Sequence, residues 1–123
     1  MASFVTLTQE LRIDSADGNQ GGRSPITTRW VPGAGVNGKR EQITLTASAF
    51  TALSPPTSAK AVMLILGTAI NLTLKGVTGD TGTKLVPATL PLGFDAIIPL
   101  GASPSIGITS AHTSDQTIEV IWL

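Results

Sequence analysis

Hydrophobic and polar positions alternate with period two along most of this chain, which predicts strands. Phe4–Leu7 and Leu11–Ile13 form two short opening segments, and a polar, glycine-rich loop over residues 14–25 succeeds them. Ile26–Val31 reads as a strand carrying Trp30, and residues 32–40 as a second glycine-rich loop. Across Glu41–Phe50, Ile43, Leu45, Ala47 and Ala49 fall on one side and Thr44, Thr46 and Ser48 on the other. That pattern predicts one strand with one packed and one solvated face. Ala61–Leu66 is apolar on both sides and is expected to be a central strand. Further on, Ile70, Leu72 and Leu74 alternate with Asn71, Thr73 and Lys75, and Thr78–Gly82 supplies a turn. Pro87, Pro91, Pro99 and Pro104 punctuate the next stretch, and Ile118, Val120 and Trp122 give the inner face of a last strand opposite Glu119.

No long helical period competes with this pattern. About eight to ten short strands, cut by turn residues at short intervals, predict an all-β antiparallel sandwich, jelly-roll-like rather than immunoglobulin-like. The cysteine–tryptophan–cysteine arrangement of the latter is missing because the chain has no cysteine. The 123 residues suit a single domain over 1–123 with an extended N-terminal segment over about residues 1–13.

Composition changes the picture in one respect. Of the 41% hydrophobic residues 13 are Ala, only five aromatics occur, and charged residues reach just 13%. A thin core beneath a Thr- and Ser-rich, weakly charged surface predicts that part of this surface is covered by other subunits. The formal net charge is zero, so colloidal repulsion does not oppose association. A neutral chain without a basic stripe lacks the footprint for nucleic acid or for an anionic membrane, and neither is an expected partner. The longest apolar run, Ala61–Leu66, is far below the ~20 residues that span a bilayer. The lack of cysteine also removes thiolate chemistry and cysteine-based zinc sites, and it fits folding in a reducing cytosol.

Two stretches invite a chemical reading. Gly33-Ala-Gly35-Val-Asn-Gly38-Lys39 matches a dinucleotide fingerprint literally, but the next residues read as strand instead of helix, and Arg40 stands where a hydroxyl would hold magnesium. A flexible inter-strand loop is the expectation. Ser110, His112, Ser114 and Asp115 supply triad residue types, yet triad members converge from separate parts of a fold, so a polar hairpin turn is expected. His112 is the only histidine, and Asp14 with Asp17 is the one loop pair that suggests calcium. Neither a catalytic residue, a cofactor nor a resident metal is predicted. Trp30 and Trp122 are expected in the core.

Residues 60–123, with the run INLTLKGVTGDTG, a proline-punctuated segment and a closing TIEVIWL, resemble small virion proteins of tailed bacteriophages, the jelly-roll-like capsid decoration (cement) or minor capsid proteins. The resemblance implies a structural virion protein, made in the host cytoplasm, that binds the capsid exterior and bridges neighbouring subunits. Its partner would be the major capsid protein, and its own state a homo-oligomer, with a trimer favoured. Adhesion of this kind adds many small contacts and needs no single tight site. Phe4 in the N-terminal segment, Arg23, Lys39 and Arg40 in the glycine-rich loops, and Arg29 in the strand between them are the expected partner contacts. A tail or fibre module that recognises a host glycan or receptor is the alternative.

Overall fold

A computed structural model describes residues 3–14, 20–36, 38–67, 69, 71–85, 95–102 and 104–123, with backbone alone at 11–14, 20, 23, 85, 95 and 96. Ten strands lie among them: β1 Val5–Asp14, β2 Gln20–Trp30, β3 Lys39–Leu45, β4 Ala49–Ala52, β5 Ala61–Ile65, β6 Leu72–Lys75, β7 Thr83–Leu85, β8 Asp95–Pro99, β9 Gly107–Ser110 and β10 Gln116–Trp122. Every pairing between them is antiparallel. The expected all-β antiparallel class is therefore correct.

The chain divides into two compact units, residues Met1–Pro32 and Gly33–Leu123. The first is a long hairpin of β1 and β2, with Val5 opposite Trp30, Leu7 opposite Thr28 and Gln9 opposite Ile26. Glycines and a proline predict a loop over residues 14–25, but Gln20–Pro25 belongs to β2. A bulge makes this possible. Three steps of β2 (Arg23 to Ile26) span two of β1 (Leu11 to Gln9), so Pro25, which lacks an N–H, sits where ladder bonds are already interrupted.

In the second unit β3-β10-β5-β8 form one four-stranded sheet and β4-β9-β6-β7 another. One cluster unites Leu45, Val62, Leu64, Ile118, Val120 and Trp122 of the first sheet with Leu72 and Ile108 of the second. Ile118, Val120 and Trp122 are 2%, 0% and 0% exposed, which is the inward face their alternation predicts. The central placement of β5, between β10 and β8, also matches expectation.

The single strand predicted over Glu41–Phe50 is two strands in different sheets. Ser48 takes φ 53°, a left-handed conformation that turns the chain. The Asp115 carboxylate accepts the Ala47 N–H at 2.8 Å, and the Ser48 N–H donates to the His112 carbonyl. These bonds replace the ladder the chain leaves at the corner. Trp122 is a core anchor as expected. Trp30 is not in the core cluster; it belongs to the hairpin.

Candidate interaction surfaces

The Ser110–Asp115 segment is a structural turn. Ser110 is fully buried at the end of β9, where its Oγ accepts from the Gln116 side-chain amide at 2.9 Å and from the His112 N–H at 3.3 Å. A hydroxyl so enclosed and so bonded meets no substrate. The Nδ1 of His112 accepts from the Ser114 N–H at 3.2 Å, and Asp115 faces Ala47 instead of backing the imidazole. These bonds close the turn and tie it to the corner between β3 and β4.

The glycine-rich loop is likewise a connection. Its glycines serve geometry: a Cβ on Gly33 would lie 1.8 Å from the Ser58 carbonyl oxygen, and Gly35 and Gly38 have φ of 75° and 72°. It leads into β3, so no helix N-terminus faces a phosphate. The Asp14–Asp17 loop lies outside the described side chains. Among the described residues no three acidic or histidine side chains group to hold a metal.

A groove of about 470 Å³ opens between Leu74 of β6 and Ile98 of β8, lined also by Leu100 and Ile106. Its acidic residue, Asp80, is committed: Oδ2 accepts from the Gly76 and Val77 N–H groups at 3.0 and 2.9 Å, an Asx-type closure of the β6–β7 turn. The ammonium of Lys75 points to the Thr78 carbonyl at 3.4 Å. The groove is mixed in character: its apolar residues stand beside Lys75, Asp80 and Ser105, whose polar groups bond to the neighbouring backbone.

Of the expected contact residues, Phe4 and Arg29 are brought together. The guanidinium lies 3.8 Å from the ring centroid, a cation–π pair on the hairpin face that also carries Thr6, Thr8 and Thr27. Phe4 is 49% exposed, with the guanidinium against one face of its ring. Arg23 lies on β2, its side chain outside the described set. Lys39 and Arg40 head β3 on opposite faces. The ammonium of Lys39 pairs with Glu41 at 2.9 Å, and the guanidinium of Arg40 pairs with Glu119 of β10. Glu41 is held below its ordinary carboxylate range chiefly by the Lys39 hydrogen bond. The Trp122 indole N–H adds to this, although its geometry falls short of a full hydrogen bond.

Two surfaces escape a reading of the sequence alone. On the second face of the hairpin, Val5, Leu7, Ile26 and Trp30 form an apolar stripe, with Ile26 39% exposed. No apolar side chain of β1 or β2 is buried among the described residues. On the outward face of the β3-β10-β5-β8 sheet, Ile121, Met63 and Ile97 stand in one row across three strands, and Ile65 lies beside Glu119 in the next. All four are half-exposed. The available signal is the β5 sequence AVMLI, apolar on both faces, a pattern that by itself predicts burial on both sides.

No family model, curated protein or solved structure matches the chain.

Proposed function

We propose that this chain is a structural virion protein, a jelly-roll subunit that binds the capsid exterior and bridges its neighbours. The carrying observation is the hairpin Val5–Trp30, ten residues against eleven, with no buried apolar side chain of its own among the described residues. A two-stranded ribbon alone is marginal in water, so this one gains its stability from what it meets. Such a ribbon makes a poor enzyme and a good arm.

The strand order supports the jelly-roll reading. Counting β3 to β10 as one to eight, the pairs are 1–8, 2–7, 3–6 and 4–5, the rungs of one long folded ribbon. Pairings 8–3 and 7–4 then roll that ribbon into sheets 1-8-3-6 and 2-7-4-5. The major capsid protein is the proposed partner, and the Phe4–Arg29 face is the proposed contact, because it offers an uncovered aromatic with a cation already stacked on it.

Co-sedimentation with undecorated heads tests the reading. The full chain pellets with heads, and the Phe4→Ala, Arg29→Ala double variant loses roughly tenfold or more in affinity, as removal of a contact centre does. Unaltered pelleting of the variant moves the contact elsewhere. A chain that ignores heads and binds sugar arrays is a receptor-binding module instead.

A further inference from the structure

We propose that the apolar face of the hairpin packs on the outward face of the β3-β10-β5-β8 sheet of a second copy of this chain. This goes beyond capsid binding and does not depend on it.

Both faces carry exposed or half-exposed apolar side chains, and they are alike in chemistry. In an antiparallel sheet with one solvated side, outward residues are polar. β3 obeys this with Arg40, Gln42 and Thr44, and Gln42 and Thr44 are exposed there. Further into the sheet, the row Ile121–Met63–Ile97 breaks the rule, with Ile65 beside it. The hairpin offers the matching element: Val5, Leu7, Ile26 and Trp30 lie on its other side from the Thr6–Arg29 and Thr8–Thr27 pairs. Sheet faces stack about 10 Å apart, and at the same strand spacing the two strands of the hairpin lie over two of the three strands in the row.

The strand edges argue for face packing over strand addition. On β3, Lys39 and Glu41 point to the inner side of an edge strand, a placement that resists a further strand. The edge strand β8 ends at Pro99, and the edge strand β4 has four residues.

Area requires each subunit to take part in two contacts. Ten residues at ~3.4 Å rise make a ribbon about 34 Å long and about 10 Å wide, so one contact removes on the order of 700 Å² from both partners together. A stable interface takes about 1,200–2,000 Å². One such contact falls short, but each chain carries both a hairpin and a sheet face, so every subunit gives one contact and receives one, in a reciprocal dimer or in a closed ring, and the area per subunit doubles.

The chain has no cysteine, so single cysteines report the contact cleanly. Leu7→Cys and Met63→Cys versions of the full chain are mixed at micromolar concentration with oxidised glutathione. The expected product is a mixed disulfide between the two versions, and the double variant gives a covalent oligomer of one closed size. Products joining only like with like, or a double variant that cross-links within single chains on dilution, overturn the proposal. Native mass spectrometry supplies the second readout. The wild type is oligomeric, and Met63→Lys, a change at a half-exposed position, weakens assembly at least roughly tenfold. A monomeric wild type, or a Met63→Lys variant that assembles normally, also overturns it. Head binding reads separately: a monomeric Met63→Lys that still pellets with heads leaves the capsid reading standing, and an oligomer that ignores heads strikes that reading alone.

Discussion

Gly107 tests the packing of the second sheet at one atom. It sits in β9 between Ala52 of β4 and Lys75 of β6, with the Phe50 ring lying over it. A Cβ at this position would come within 2.3 Å of Phe50 Cζ and 2.8 Å of the Thr51 carbonyl oxygen. Ordinary contact is about 3.5–4 Å, so the ring must retreat by more than about 1 Å and the backbone by several tenths. Overpacking on that scale costs about 1–3 kcal/mol. Replacing glycine in a strand otherwise gains about 0.5–1 kcal/mol from the unfolded chain. The expected net loss for Gly107→Ala is thus about 0.5–2 kcal/mol. In a unit of about 90 residues, each kcal/mol lowers the melting temperature by about 5 °C. Urea unfolding of the wild type, Gly107→Ala, Phe50→Ala and the double variant closes a cycle. With the ring gone most of the clash is relieved, so the double variant is more stable than the sum of the singles by about 1 kcal/mol. A Gly107→Ala protein as stable as wild type, or effects that add to within about 0.3–0.5 kcal/mol, refutes this account of the glycine.

The corner between β3 and β4 gives a second test. Asp115→Ala frees the Ala47 N–H and costs about 1–2 kcal/mol, and Asp115→Asn, whose amide oxygen still accepts, recovers most of it; chemical denaturation compares the three. The third prediction concerns acid. The Glu41 carboxyl lies below its ordinary value of 4.5 in the folded chain, so its contribution is present above that value and is lost as pH falls through the lower, folded one. Both partners are partly solvated, which limits the effect to about 0.2–1 kcal/mol. The stability gap between wild type and Glu41→Gln is constant at neutral pH and closes below about pH 4.5; a gap that widens in acid contradicts the assigned pairing.

Period-two alternation makes β10 legible residue by residue, because Ile118, Val120 and Trp122 repeat inward without interruption. The same signal misleads at Glu41–Phe50. Ala47 and Ala49 continue the alternation of Ile43 and Leu45, while the corner is made by Ser48 and by Asp115, far away in sequence. No glycine or proline marks that bend. In β2 the error runs the other way. Gly21, Gly22 and Pro25 read as loop, since their pairing with β1 depends on a bulge that only the register reveals. The Phe4–Arg29 contact is half visible: both residues are expected contacts, but their meeting depends on Thr6 standing opposite Arg29. The outward isoleucines are in plain sight in the sequence. An apolar run alone does not tell which side of a central strand the chain itself covers.

A half-bare outward side bears on how a chain of zero net charge stays out of indiscriminate aggregates. Charge repulsion is not its means, since charged residues reach only 13%. Protection is placed instead at the strand edges, through the inward Lys39–Glu41 pair on β3, the short β4, and Pro99 closing β8. Edges promote unlimited growth, because every added strand presents a new one. A face differs in one respect: once a ribbon covers it the site is spent, and growth stops wherever the exchange of ribbons closes, in a pair or in a ring. Guarded edges beside a face on which Met63, Ile97 and Ile121 are half-exposed are the arrangement that the proposed contact between copies requires.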